Sequence, residues 1–351
     1  MATEYRTLGR TGLRVSRLGL GVMTYGWGAD KTTARSLFDL YRDRGGNFLD
    51  TADLYAAGES ESWLGEFIQD ARCRDGVVVS TKFSFNAEPG NPNAGGNGRK
   101  NILRALERSL RRLRTDYVDL YLLHAWDAVT PVEEVMRTLD DLVRAGKVRH
   151  VGLSDTPAWY AARAQTLAEE RGLERLAVLQ LEYSLVSRSL EREHVPLARE
   201  TGISILPWSP LGSGFLTGKY RRHGGTISGS GRVADMQESG NPTMEKFAKH
   251  ERNWEILDVL LVEAKKIGRT PPEVALAWVL GRPQVTSVLI GATRRDQLEL
   301  NLGTLGLTLP AEVESTLTEV SRPESTELDH FFEPVLQGMI HGGVAVRRGI
   351  P

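Results

Sequence analysis

Asp50, Tyr55, Lys82 and His124 are the side chains of this 351-residue sequence whose types and spacing best suit chemistry. Asp50 and Tyr55 stand in "NFLDTADLY", Lys82 ends "VVVSTK", and His124 ends "YVDLYLLH". Hydride delivered to a carbonyl carbon leaves negative charge on oxygen, which needs a proton donor and hydrogen bonds already in place. A phenol, with a pKa of about 10, is a poor acid at neutral pH. A nearby Lys82 ammonium favours the phenolate and lowers that pKa. Asp50 would hold the ammonium charged and oriented, and a neutral His124 would donate a hydrogen bond to the oxygen. General acid–base catalysis of this kind is worth roughly 10²–10⁴-fold. Taken singly, each residue has a structural reading: Asp50 and Lys82 as an ion pair at a rim, His124 as a cap or core histidine. Their placement at the ends of successive strands favours function.

The elements that must position them follow from hydrophobic periodicity. After a hairpin (Tyr5 to Leu8 and Leu13 to Ser16), eight strands are predicted: Arg17–Gly21, Asn47–Asp50, Val77–Lys82, Tyr117–His124, Val148–Ser154, Leu176–Glu182, Ile203–Trp208 and Thr286–Ile290. Between them lie helical patterns at Lys31–Arg44, Arg99–Arg112, Val132–Ala145 and Pro157–Arg171. In the Arg99 pattern, Ile102, Leu103, Leu106, Leu110 and Leu113 make an apolar stripe. Arg104, Glu107, Arg108, Arg111 and Arg112 fall opposite, as a solvated outer face. Strands that are apolar on both faces belong in a covered parallel sheet, and eight βα units suit a closed (β/α)8 TIM barrel. In a barrel the strand C-termini surround one mouth, so Asp50, Tyr55, Lys82 and His124 would meet there. Three segments break the rhythm: Phe83–Asn97, the long loop region Gly212–Thr270 after the seventh strand, and the tail. One domain is expected over residues 1–321, with 322–351 as a C-terminal tail.

Composition restricts the function classes. Hydrophobic residues are 40% and charged residues 25%, enough for a large core and a solvated surface. A net charge of −1 gives no basic excess for nucleic acid or an anionic membrane. The lone cysteine, Cys73, excludes an intramolecular disulfide and is expected to pack on the second helix. The polar start and the lack of a long apolar run predict a cytoplasmic protein with neither signal peptide nor membrane span. "GSGRVA" (229–234) follows a Ser/Gly loop rather than a strand, and "GSGFLTGKY" fails as a phosphate loop on spacing and on the residue after Lys219. No metal-ligand spacing is present, so no metal is expected.

"FLDTADLYAAGESESWLG", "STK", "YVDLYLLH", "GKVRHVGLSD", "QLEYSLVSR" and "LPWSPLGSGFLTGKY" resemble the aldo-keto reductase superfamily. The similarity is nearest to its bacterial members and to the potassium-channel β-subunit branch, and it runs in order from about Tyr5 to Leu307. The resemblance implies a (β/α)8 barrel binding NADPH (NADP+) rather than NADH across its mouth, with Asp50, Tyr55, Lys82 and His124 as catalytic tetrad. It implies Ser154, Asp155 and Gln180 at the nicotinamide carboxamide and Trp208 stacked on the ring. Ser209, Pro210, Leu211 and Lys219 would wrap the pyrophosphate, and Arg232 would reach the adenosine phosphate. "GATRRDQLELN" implies roles for Gly291, Thr293, Arg294, Gln297 and Asn301. An arginine-bearing loop and a helix N-terminus suit an extra phosphate.

Two positions depart from the family pattern. Asp155 stands where asparagine is usual, and Thr293 where many relatives carry arginine, which leaves the 2′-phosphate to Arg294 or Arg232. Trp27 and Trp126, in the loops after the first and fourth strands, are candidates for an apolar or sugar-stacking substrate wall or for plain surface packing. The implied function is reversible reduction of an aldehyde or ketone to an alcohol, with a hydroxylated or cyclic substrate as one candidate, by a monomer or homo-oligomer. The alternative is a regulatory subunit sensing nicotinamide redox state. The channel-subunit branch usually has asparagine where this chain has His124, and no basic or apolar docking surface is evident in the sequence. Phe331, Phe332, Val335 and Leu336 of the tail would fold over the mouth or form a subunit contact.

Overall fold

The apolar runs form one parallel sheet. The computed structural model describes residues 4–223, 226–228 and 247–346. A hairpin of β1 (Tyr5–Thr7) and β2 (Arg14–Ser16) leads into β3 (Leu18–Gly21), β4 (Phe48–Asp50), β5 (Val78–Phe83), β6 (Val118–Leu123), β7 (Val148–Ser154), β8 (Leu176–Glu182) and β9 (Ser204–Trp208). A second hairpin, β10 (Arg221–His223) and β11 (Thr226–Ser228), precedes β12 (Val288–Ile290). The sheet order is β12-β3-β4-β5-β6-β7-β8-β9. Ile205 closes the ring: its N–H donates to Gln284 O at 2.9 Å, and the Thr286 N–H donates to Ile205 O at 3.2 Å. The fold is a (β/α)8 barrel, and each strand falls within a residue or two of its expected bounds, the usual uncertainty of element ends.

The helices are α1 (Lys31–Asp43), α2 (Glu59–Asp70), α3 (Arg99–Leu113), α4 (Val132–Arg144), α5 (Ala158–Arg171), α6 (His194–Thr201), α7 (Glu251–Lys266), α8 (Pro271–Leu280), α9 (Arg295–Leu302) and α10 (Ala311–Val320). The long segment after the seventh barrel strand is therefore not all loop. Its second half is α7, which buries Trp254, Leu257, Leu260 and Ala264 at helical spacing. Cys73 lies just past the end of α2, half-buried against the core.

Two apolar layers hold the mouth in shape. Phe48, Val78, Leu120, Leu122, Val178, Leu206 and Leu289 fill the barrel, with Leu8 and Val15 of the hairpin in the same cluster. The filling is tight enough to require a glycine. A Cβ at Gly152 would stand 2.5 Å from Val178 Cγ2 and 2.7 Å from Leu122 Cδ2. Truncating one interior side chain, as in Leu122→Ala, would cost about 2–5 kcal/mol. The second layer lies between strands and helices, where Ile102, Leu106, Leu110 and Leu113 of α3 are buried as the stripe predicts.

The tail carries α11 (Glu327–His330) and α12 (Pro334–Ile340). It is tied to the loop after β8, where Arg192 bonds Glu324 O and pairs with Asp329 at 3.4 Å. Phe331, Phe332 and Val335 are exposed, as are Leu328, Met339 and Ile340, so these apolar tail residues are left uncovered in the single chain. Among the described residues no helix is long and apolar enough to cross a membrane.

Candidate active site

Three neighbouring strands deliver the reactive groups to one place. Asp50 ends β4, Lys82 is the fifth residue of β5, and His124 follows β6, its N–H donating to Phe83 O at 2.8 Å. Register fixes their heights, since Asp50 pairs with Ser80 and Lys82 with Leu122. The Lys82 ammonium is fully buried. It donates to Asp50 Oδ1 at 2.6 Å, to Thr51 O at 2.7 Å and to Tyr55 Oη at 3.5 Å. Asp50 is held on its other oxygen as well, by the Gln180 amide at 2.9 Å. The Tyr55 and His124 rings meet edge to face, 5.7 Å between centroids. The four residues are thus brought together.

Electrostatics sets their protonation. Burial works against the Lys82 charge, but Asp50 and Tyr55 beside it hold the ammonium above its ordinary value. Burial pushes the Tyr55 phenol up, and Lys82 only partly counters it, so the phenol keeps its proton at neutral pH. From its place in the sequence, Lys82 is expected to lower that pKa. It pulls in that direction, but desolvation outweighs it. Burial, with Lys82 second, drives His124 well below its ordinary value and leaves a neutral imidazole. Its Nδ1 is buried without a hydrogen-bond partner among the described residues.

Tyr55 is positioned by a turn that sequence reasoning missed. Ala56, Ala57 and Gly58 take φ values of 48°, 55° and 95°, three successive left-handed residues directly after the phenol. A Cβ at Gly58 would stand 2.8 Å from Arg112 Cδ, so the arginine packs flat against the turn. Arg112 Nε donates to Glu61 Oε2 at 2.6 Å, and Thr81 Oγ1 donates to Glu61 Oε1 at 2.5 Å. Arg112 is therefore turned inward to a fully buried carboxylate rather than lying on a solvated outer face. Asp53 is a second missed carboxyl, raised to about 7 by burial and then by Glu61.

The expected cofactor residues that the structure describes lie on or after the later barrel strands, β7, β8, β9 and β12. Asp155 follows β7 in a left-handed conformation (φ 45°), accepts from the Trp208 indole at 3.1 Å and from Ser154 Oγ at 3.3 Å. It opens to solvent through the mouth, yet enclosure by protein raises its carboxyl to about 6. After β9, Ser209, Gly212, Ser213 and Gly214 have φ of 53°, 56°, 56° and 94°, with the Ser213 N–H on Ser209 Oγ at 2.9 Å. Pro210 is buried and Leu211 half-buried in this turn. Left-handed turns gather backbone N–H groups into concavities that suit anions. Lys219 is close by, its Nζ 3.6 Å from where a Cβ on Gly214 would be. Across the mouth, Thr24 Oγ1 bonds Ala292 O at 2.9 Å, and exposed Gly291 precedes Thr293, whose N–H and Oγ1 bond Gln297 Oε1 at 3.0 and 3.2 Å. Exposed Arg294 pairs with Asp296 at 2.9 Å, and Asn301 is buried in α9. Arg232 and residues 229–234 lie outside the described residues.

Of the two expected wall residues, Trp27 is 55% exposed on the loop after β3. Trp126 instead packs edge-on against Trp159, 5.6 Å between centroids, and against Tyr160. Among the described residues no group of three His, Cys, Asp or Glu is placed to hold a metal.

Comparison with known proteins agrees with this geometry. The model of the Aldo/keto reductase family matches residues 17–322. The uncharacterized oxidoreductase YrpG of Bacillus subtilis is 37% identical over 90% of this chain and 95% of its own length. Norsolorinic acid reductase B of Dothistroma septosporum is 34% identical over 97% of this chain and 86% of its own. A probable voltage-gated potassium channel subunit beta of Oryza sativa subsp. japonica is 36% identical over 92% of this chain and 99% of its own. With the barrel, the clustered Asp50, Tyr55, Lys82 and His124, and a match over nearly the whole chain, this protein belongs to the aldo/keto reductase family, a family of oxidoreductases.

Proposed function

We propose that the protein is an NADPH-dependent reductase that reversibly converts an aldehyde or ketone to an alcohol. The observation that carries this reading is the Lys82 ammonium, buried between Asp50 at 2.6 Å and the Tyr55 hydroxyl at 3.5 Å. Bound nicotinamide supplies the hydride. The Tyr55 Oη–H gives its proton to the carbonyl oxygen, and Lys82 stabilises the phenolate left behind. Neutral His124 faces Tyr55 and donates a hydrogen bond to the same oxygen, which fixes the approach of the carbonyl. In the oxidative direction Tyr55 takes the proton back from the alcohol.

The cofactor fits the residues present. The left-handed turn Ser209–Gly214 and Lys219 would hold the pyrophosphate, while Trp208, Ser154, Asp155 and Gln180 would hold the nicotinamide. Arg294, beside the start of α9 and paired with Asp296, would be the residue to hold the 2′-phosphate. Residues 1–321 form the catalytic unit in this reading, and 322–351 an appended tail.

The test is a titration of NADPH and NADH against tryptophan fluorescence, followed by cofactor oxidation with a panel of carbonyl compounds, on wild type and Tyr55→Phe. Quenching by NADPH with turnover lost in the variant is expected. A second reading, a subunit that senses nicotinamide redox state while docked to a partner, draws on the rice relative's name and on the exposed apolar tail. Tight cofactor binding with no carbonyl turned over would bring it to the front.

A further inference from the structure

His124 is held by its backbone rather than by its ring. Among the described residues no hydrogen bond reaches the buried Nδ1 of its imidazole. A working histidine is ordinarily oriented by a hydrogen bond on the ring nitrogen that does not meet the ligand. Here the imidazole sits edge to face with Tyr55 at 5.7 Å and with the half-exposed Phe85 at 5.0 Å between centroids. Ring contacts of this kind tolerate a range of angles, and the outer torsion of histidine is itself broad, so the tilt of the ring follows the chain that carries it.

That chain is gripped by the loop after β5. Ser84, two positions past Lys82, has φ of 136°, a conformation that residues with side chains rarely adopt. Its Oγ accepts from the His124 N–H at 3.1 Å and from the Ala125 N–H at 3.4 Å, and donates to Asn97 Oδ1 at 2.6 Å. Asn97 is 1% exposed, and the other end of its amide donates to Ala125 O at 2.9 Å. The Asn97 N–H donates to Asp127 Oδ2 at 2.7 Å, and the Gly96 N–H to Ser84 O at 2.7 Å. Residues 124–127 are thereby tied along their length to a loop that begins beside Lys82. Glycine would take the Ser84 φ without strain, so what serine adds at this position is the hydroxyl.

We propose that Ser84 and Asn97 are positioning residues that set the angle at which the His124 imidazole meets the substrate carbonyl. The inference rests on the reductase reading of Tyr55, Lys82 and His124. Both residues act through the backbone of His124 and Ala125, not on the reacting atoms. The hydrogen bond from His124 fixes the approach of the carbonyl to hydride, and a misplacement of about 1 Å can cost roughly 10²-fold in rate.

Two measurements test this on Ser84→Gly, which removes the hydroxyl and relieves the strained φ, and on Asn97→Leu, which removes the buried amide. The first is a single turnover of bound NADPH with 4-nitrobenzaldehyde, whose carbon gains hydride and whose oxygen gains the Tyr55 proton. Each variant is expected to slow it about tenfold with the Kd for NADPH unchanged. In a His124→Ala background the same substitutions should cost little more, because the residue they act through is gone. A loss that persists in full there overturns the inference and makes the pair a support of the loop alone. An unchanged rate in both variants overturns it too and leaves the reductase reading standing. The second measurement needs no turnover. The His124 ring signal, one of seven from histidine, is identified by NMR through its loss in His124→Ala. It is expected to move in Ser84→Gly while the other six stay in place, since the Tyr55 and Phe85 rings beside it make its shift depend on tilt. An unmoved signal overturns the inference. A moved signal with no carbonyl compound reduced by wild type keeps the hold on the imidazole and overturns the reductase reading.

Discussion

The Lys82 ammonium donates to Asp50 Oδ1 at 2.6 Å, and neither side chain has more than 4% of its surface open to solvent. Their mutual attraction offsets the desolvation of each, and neither is tolerable alone. Lys82→Met would leave the Asp50 carboxylate with the Gln180 amide as its remaining side-chain partner. That variant is expected to lose about 3–5 kcal/mol in urea denaturation, and the pair Asp50→Asn with Lys82→Met to recover at least half of it. Turnover should be lost in both, because restoring neutrality to the core does not restore the cation beside Tyr55. Equal stability of Lys82→Met and wild type would mean that the pair is not buried as described.

Arg112 offers a separate handle on Tyr55. Its guanidinium holds the fully buried Glu61 and packs on the left-handed turn Ala56–Gly58. Removing it strands a carboxylate with Thr81 alone and frees the turn. Arg112→Met is expected to destabilise by roughly 3–5 kcal/mol and to lower kcat more than it raises KM for cofactor. Arg112→Lys keeps the charge but not the planar fork and should fall between the two. A kcat identical to wild type in Arg112→Met would dissociate the turn from the phenol's placement.

What the sequence disclosed and what it hid divide along physical lines. "VVVSTK" and "YVDLYLLH" are apolar on both faces because helices cover one side and the barrel interior the other, so strand and strand end could be read directly. Lys82 and His124 came with them, since a charged or polar residue ending such a run sits at a mouth. Arg112 belongs by spacing to the polar face of α3, but its side chain reaches Glu61 of the preceding helix, a contact that spacing cannot show. Phe85 was hidden for another reason: its exposure depends on Ser84 at φ 136° and on Asn97 thirteen positions on. The exposed tail residues Phe331 and Val335 were legible as apolar but not as uncovered, which only tertiary packing decides.

Asp53 makes stability depend on pH. Burial and Glu61 raise its carboxyl from 3.8 to about 7 in the folded chain. The folded state then holds a proton that the unfolded chain has already released, so stability is greatest below the unfolded value and is lost as pH rises through the folded one. Between about pH 4 and about pH 7 wild type should lose roughly 1–3 kcal/mol from this group. Asp53→Asn removes the titration, and its unfolding free energy should fall less over that window. The slope that remains belongs in part to Asp155, whose carboxyl is also raised, to about 6. A pH dependence identical in Asp53→Asn and wild type would show Asp53 to be ionised throughout.

Asp155 stands where the family resemblance implies the nicotinamide carboxamide, with an acid in place of the usual amide. One oxygen accepts from the Trp208 indole at 3.1 Å and the other from Ser154 Oγ at 3.3 Å. An ionised Asp155 offers a carboxamide only acceptors and adds negative charge next to an anionic cofactor, whereas its protonated form offers a donor as well. With enclosure by protein raising the carboxyl to about 6, wild type should bind NADPH more tightly below that pH than above it, at fixed ionic strength. Asp155→Asn has the donor at every pH. It should match wild type at about pH 5 and exceed it about tenfold in affinity at about pH 8, read by quenching of tryptophan fluorescence. Comparing the two proteins at each pH cancels titration of the cofactor's own phosphate. If the two bind equally at both pH values, Asp155 does not meet the carboxamide, and Trp208 and Ser154 hold it only as part of the rim.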